Sequence, residues 1–394
     1  MSLPANFVAG LQPMHPKEVF EVFLNGPKDV RSTLDIVNET RPVDLFCYLG
    51  ARFGRPNGVQ NALRSDDSDN LIHWEWMVRH EQGVVIFQGM NFRTEVHIMG
   101  LAPSEDHKND LVEQLKSDFP NHGAKMGEVR KRLEQWTEFV NPYQRIRRSV
   151  ERLLDELDHL NLRPDEDRFD PLTSEAPADD LSKRWGELSE RYSKGFGLCF
   201  GIRSMLPVMA EAFVNLMLYV LMRPEIRGDQ RLFENAFRQP IDVRIRSLSI
   251  NCVGFKQQPD YASEPCKVYQ TLVNERNDLL HGNVVVDKLK FNEVYFLGKV
   301  PVFKAYRSMW ERSLQVEIDT VGLQAVRAEL ATVDGLIAYL FSCIDDKLRE
   351  SIEHLMNHHE LGRNEQNGRT GVLFPEWLVD MRAGPPEPGQ PNSA

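Results

Sequence analysis

The 18 residues MLPVMAEAFVNLMLYVLM (205–222) set the first constraint on any fold this chain can adopt. An apolar run of that length belongs in a bilayer or in the middle of a protein core. It is barely long enough to span a membrane, and Glu211 and Asn215 stand in its middle, where hydrocarbon would leave both unsolvated. The reading is a buried core helix, and such a helix needs other helices around it. Apolar residues at spacings of three and four predict them near 181–194, 202–223, 229–250, 262–281, 303–314 and 319–360. One stretch, VVVDKLKFNEVYFLGKVPVF (284–303), interrupts the series with the alternation of a β-hairpin.

Ahead of the helices the pattern changes. VDLFCYLGARF (43–53), LIHWEWMVRH (71–80), GVVIFQG (83–89) and TEVHIMG (94–100) are rich in β-branched and aromatic residues, separated by the turn signals RPNG, SDDSDN and EQG. PKDVRSTLDIVNE (27–39) and SEDHKNDLVEQLKSDF (104–119) read as helices. At 394 residues the chain exceeds one core of usual size. The expected order is an α+β domain with an antiparallel sheet (1–125), connecting helices (126–162) and an acidic, proline-bearing linker (163–180). A mainly α-helical bundle with a β-hairpin insertion (181–362) and a disordered tail (380–394) follow.

The formal charge of −11 argues against a broad basic surface that grips nucleic acid along its length, but leaves room for a local basic cleft. Five scattered cysteines without CxxC spacing read as reduced thiols, not as a disulfide framework or a zinc site. The first twenty residues lack a basic stretch followed by an apolar run, so no signal peptide is read and a cytoplasmic location is expected.

The segment VNERNDLLHGN (273–283) breaks the local pattern. Wound at about 100° per residue, Tyr269, Leu272, Val273, Leu279 and Leu280 fall on one face, and Arg276 projects from its centre. A permanent cation there is expensive unless compensated. Asn277 and His281 lie four apart at the edge of the stripe, with Gln270 and Asn274, and Gly282 stands where a helix commonly ends. Helix geometry leaves two readings open. Either Arg276 snorkels to a surface acid, or it serves a site, where such violations are expected.

The residues RNDLLHG (276–282) resemble the signature of HEPN-domain ribonucleases: Arg, a polar residue that is often Asn, three further residues and His, in a helical domain. That family includes toxins of toxin–antitoxin pairs, abortive-infection proteins and CRISPR-associated RNases. The resemblance covers roughly 181–360 as a fold pattern and implies a HEPN-like bundle. It further implies RNA cleavage without a metal or cofactor. His281 would be general base on a ribose 2′-hydroxyl, Arg276 would stabilise the phosphorane, and Asn277 would orient the His or the phosphate. The products would be 2′,3′-cyclic phosphate and 5′-hydroxyl ends. Since the chain has one good copy of the motif, the resemblance implies a homodimer with a composite cleft. The N-terminal domain would then sense an activating ligand, select the substrate or bind a partner such as an antitoxin, an architecture that suits a bacterial defence or toxin effector by fold-level analogy. A β-hairpin after the glycine departs from the family pattern, where another helix is expected.

Glu211 and Asn215, four apart on one helix face, need partners if buried. Glu211 either pairs with Arg276 or bonds elsewhere in the bundle. Arg145, Arg147 and Arg148 form the best local basic patch, either a weak RNA contact or a solvated helix. RESIEH (349–354) repeats the Arg-to-His spacing without the Asn or Gly and reads as a solvated helix face. His354 and His358 have a spacing able to hold a metal but no evident third ligand, so no metal is assigned. GFGLCFG (195–201) lacks a preceding strand and reads as an inter-helix turn; Trp74 and Trp76 read as core. The rival to an enzyme is a non-catalytic helical module that binds a protein or nucleotide partner.

Overall fold

A computed structural model describes residues 3–25, 31–81, 83–100, 104, 106–168, 177–281, 294–303 and 308–374. They divide into two compact units: one runs to Phe139 and resumes at Gly362, the other is Val140–Leu361. As the two periodicities predict, the first carries an antiparallel sheet and the second is mostly helical.

The sheet of the first unit has five strands: β1 (Gln12–Pro13), β2 (Arg31–Ile36), β3 (Trp74–His80), β4 (Gly83–Gly89) and β5 (Thr94–Met99), in the order β1-β3-β4-β5-β2. Alternation sends Trp76, Val78, Val85, Phe87, Val96 and Ile98 to one face. There α2 (Pro42–Phe53) and α4 (Asp106–Arg130) bury them with Leu45, Leu49, Leu111 and Leu115. Trp76 also donates Nε1–H to Gly54 O at 3.2 Å, so this tryptophan is core. The other face carries a polar row, Glu75–Gln88–Glu95–Asp35, in register across four strands. Gln88 Nε2 donates to Glu75 at 2.5 Å, His97 lies 3.0 Å from both Gln88 Oε1 and Thr33 Oγ1, and Arg93 pairs with Glu95. These matched partners fix strand register, which a one-residue slip would destroy.

Two assignments from sequence are exchanged in this unit. Residues 43–53, read as a strand, are helical: Pro42 opens the helix, Asp44 suits its positive end, and Leu45, Tyr48 and Leu49 share a buried face. Residues 31–36, read as helical, form β2, where Ser32, Leu34 and Ile36 alternate inward against β5. A second sheet was not read at all: β6 (Trp136–Val140), β9 (Glu360–Asn364) and β10 (Thr370–Val372) pair in the order β10-β9-β6.

The helical unit is built on α6 (Ala178–Leu221), a single helix of 44 residues. The apolar run forms its second half, with Leu206, Met209, Phe213 and Met217 fully buried. Tyr143, Phe213 and Phe341 stack edge to face at 5.6 and 5.2 Å, tying α6 to α5 (Pro142–His159) and α12 (Val326–Ser342). GFGLCFG is not a turn but the middle of α6. A Cβ at Gly195 would stand 2.4 Å from Leu162 Cδ1, so this glycine permits close packing rather than chain reversal.

Residues 142–159, read as connecting, belong to the same core: Asn141 caps α5, and Val150 and Leu154 are buried against α6. Of the acidic segment read at 163–180, residues 163–168 and 177–180 are described and belong to the helical unit, and 169–176 lie outside the described residues. At its start Asp167 accepts from Arg163 N, Tyr192 Oη and Arg191 Nη2 at 2.9, 2.8 and 2.6 Å, so residues 163–167 form a folded turn. Pro240 splits the helix expected over 229–250 into α8 (Gln230–Arg238) and α9 (Ile241–Asn251). Gly322, at φ +66°, ends α11 (Val316–Val321), and a second break near Cys343 separates α12 from α13 (Asp346–Met356). The hairpin is present as β7 (Val294–Leu297) and β8 (Val300–Phe303); residues 284–293 and the tail at 380–394 lie outside the described residues.

All five cysteines are buried free thiols. Burial pushes Cys199 up to about 11 and Cys252 up to about 12, far above working pH. A thiol reagent at pH 8 is expected to label none of the five in the folded protein and all five in denaturant; prompt native labelling of Cys199 or Cys252 would contradict this packing.

Candidate functional site

Helix α10 (Glu264–His281) carries the motif. Cys266, Tyr269 and Leu272 form its buried stripe, and Arg276 follows on the same face, partly buried. Arg276 Nη1 donates to Asn277 Oδ1 at 3.1 Å, while its Nε is buried without a hydrogen-bond partner. Among the described residues no carboxylate lies within ion-pair distance of this guanidinium. Arg276 therefore does not snorkel to a described surface acid. His281 is the last residue of the helix, and Gly282 lies outside the described residues. Along the edge, Tyr261 Oη donates to Gln270 at 2.6 Å and Gln270 Nε2 donates to Asn274 at 3.0 Å, so that edge is an ordered polar ladder.

Two cross-helix contacts fix the register of α10 on α6. Tyr269 Oη donates to Pro207 O at 3.1 Å, and Arg203 Nη2 meets Glu275 Oε2 at 3.2 Å. Descending α6 from 207 to 203 ascends α10 from 269 to 275, so the helices run antiparallel. At ~1.5 Å per residue, Arg276 lies about 10 Å to one side of the Tyr269 level and Glu211 about 6 Å to the other.

That separation corrects the proposed Glu211–Arg276 pair. Glu211 Oε2 instead accepts from Arg244 Nη2 at 2.7 Å, and Arg244 Nη1 donates to Asn215 Oδ1 at 2.7 Å. Arg244 comes from α9, with its side chain only 7% exposed against 36% for Glu211. Thus Glu211 and Asn215 do share a partner, but it is a buried arginine that ties α9 to α6. Burial raises the Tyr269 hydroxyl well above the usual phenol range, and Glu211, Arg244 and Arg276 all act on it through space.

A second arginine was also missed. Arg203 on α6 is held between α10 and α12: Nε and Nη2 form a fork on Glu329 at 2.8 and 2.6 Å, and Nη2 also reaches Glu275. Its Nη1 donates to Val321 O at 3.1 Å. Both missed residues carried the signal that marked Arg276. Arg244 sits with Ile245 and Leu248, and Arg203 with Cys199, Ile202 and Leu206, each a cation inside an apolar helical stripe.

The weaker candidates separate. Arg147 is occupied by Glu151 at 2.7 Å and by Asp334, which makes it a tie between α5 and α12, whereas Arg145 and Arg148 are exposed. Arg349 of the decoy RESIEH pairs with Glu353 at 2.7 Å on an exposed helix face. His354 and His358 stack at 4.4 Å, and no group of three metal-ligating side chains forms among the described residues. A half-open cleft of about 470 Å³ is lined by Leu157, Asp158, Asn161, Arg163, Leu323 and Arg327, with no residue from α10. Its arginines are spoken for, Arg163 by Glu166 and Arg327 by Asp158, so it offers no comparable open cation. Compared with protein-family models, curated proteins and solved structures, the chain matches none.

Proposed function

We propose that this chain is a metal-independent endoribonuclease of HEPN type that works as a cytoplasmic homodimer, with Arg276, Asn277 and His281 as its catalytic residues. The observation that supports this reading is the state of Arg276. It is a guanidinium in an apolar stripe, with a buried, unpartnered Nε and no described carboxylate to neutralise it. Such a group is poised for an anion, and its planar fork suits phosphate oxygens.

In the proposed reaction His281 takes the proton from a ribose 2′-hydroxyl as that oxygen attacks the adjacent phosphorus. Arg276 stabilises the negative charge that builds on the phosphorane, and Asn277, already bonded to Arg276, keeps the fork aimed. The bond to the 5′-oxygen then breaks, that oxygen gains a proton, and a 2′,3′-cyclic phosphate remains. Two copies of α10 from a homodimer would line one cleft. The N-terminal unit would supply the trigger, the substrate choice or a partner contact, and the protein would serve as a toxin or defence effector.

The test is cleavage of structured RNA in EDTA by wild type, Arg276→Ala and His281→Ala. Rates are expected to fall about 10²–10³-fold for the arginine variant and 10²–10⁴-fold for the histidine variant. Equal rates in all three would assign the cleavage to another site. Binding without cleavage in wild type would favour a non-catalytic module.

A further inference from the structure

Arg276 is surrounded in sequence by acids, with Glu275 before it and Asp278 soon after, yet no described carboxylate reaches it. The reason lies one helix away. Arg203 projects from α6 at the level of the motif and engages two carboxylates at once, Glu329 through a fork at 2.6 and 2.8 Å and Glu275 at 3.2 Å. Its remaining nitrogen donates to Val321 O at 3.1 Å, so every nitrogen of Arg203 is engaged within the protein. The side chains of Arg203 and Glu329 are each 11% exposed, whereas Glu275 is 40% exposed and anchored chiefly by this contact. Gly322 makes room for the guanidinium: at φ +66° it takes a left-handed turn, and a Cβ there would stand 2.8 Å from Arg203 Nη1.

We infer that Arg203 is a positioning residue that occupies Glu275 and Glu329 and thereby keeps the Arg276 guanidinium open for a phosphate. The inference rests on the reading of Arg276 as the phosphate-binding group. The reach required for quenching is already visible, since Arg276 bonds the side chain of its immediate neighbour Asn277 at 3.1 Å. A carboxylate at Glu275, on the other side, is a stronger acceptor than that amide. Glu275, next in the chain to an unprotected arginine, would otherwise claim it, and phosphate would have to displace that carboxylate.

The experiment measures affinity for a fully 2′-O-methylated RNA oligonucleotide, which binds but cannot be cleaved by 2′-hydroxyl attack. Arg203→Gln alone strands the buried Glu329, so the working variant is Arg203→Gln/Glu329→Gln, which keeps that pair neutral. It is expected to bind about tenfold more weakly than wild type, because Glu275 is free to neutralise Arg276. Adding Glu275→Gln should restore affinity to within about threefold, while Glu275→Gln alone should leave wild-type affinity unchanged. Continued weak binding by the triple variant, with a wild-type circular dichroism spectrum, would overturn the inference and make Arg203 a packing residue only. Loss of affinity in Arg276→Ala, together with no cleavage of natural RNA by the wild-type chain, would sink the catalytic reading while leaving the role of Arg203 intact. Unchanged affinity in Arg276→Ala would remove the basis of both.

Discussion

Replacing Arg276 by Met is expected to stabilise the helical unit while sharply slowing RNA cleavage. Methionine matches the unbranched stem of arginine and fills irregular apolar space. It also removes a buried Nε that has no partner, a defect worth about 1 kcal/mol once partial exposure is allowed for. For a unit of this size the melting temperature should rise by about 2–4 °C. Activity should fall by about 10²–10³-fold, the usual consequence of losing one preorganised donor to an oxyanion. Gain of stability with loss of function is the mark of a residue retained for chemistry. A methionine variant that melts several degrees lower would instead show that Arg276 holds the fold together.

Arg244→Ala should have the opposite profile. Arg244 is buried, and its two terminal nitrogens hold Glu211 and Asn215 at 2.7 Å each. Its removal leaves a carboxylate and an amide oxygen without their donor and opens a gap between α6 and α9. Because Glu211 is 36% exposed, water recovers part of the loss, and a destabilisation of about 2–3 kcal/mol is expected. Arg244→Met combined with Glu211→Gln should recover most of it, since the uncompensated charge is gone. Thermal or urea unfolding checks both variants. A single variant as stable as wild type would mean that the Arg244 cluster contributes no net binding energy between these helices.

The coarse architecture was legible wherever periodicity and burial agree. The apolar run at 205–222 announced a central helix, and α6 buries it. The β-branched and aromatic stretches 71–80, 83–89 and 94–100 announced an antiparallel sheet, and β3, β4 and β5 form its centre. Reading failed where local and tertiary signals diverge. Residues 43–53 are aromatic and branched enough for a strand, but Pro42 and a three-four spacing on the buried face decide for helix. Gly195 looked like punctuation because sequence shows a missing side chain and not the Leu162 methyl that needs the space.

At the site, Arg276 stood out as a cation on an apolar stripe; in three dimensions it is half-buried, and its buried Nε without a hydrogen-bond partner is a feature it shares with Arg244. Its partners were not legible. Glu211 was the obvious acid in a buried helix, yet which arginine it meets depends on the antiparallel register of α6 and α10 and on the return of α9 across them. Nothing in a single sequence encodes that register directly. The same rule applied to every helix would have marked Arg203 and Arg244 as well, since each sits among aliphatics at helical spacing.

The most direct test of the central claim is the chemistry of the cut ends. Structured RNA incubated with the purified full-length chain in EDTA should yield fragments with 5′-hydroxyl and 2′,3′-cyclic phosphate termini, and the His281→Ala chain should yield none. Fragments bearing 5′-phosphate and 3′-hydroxyl ends, or ends that form equally with His281→Ala, would contradict attack by a ribose 2′-hydroxyl at this site.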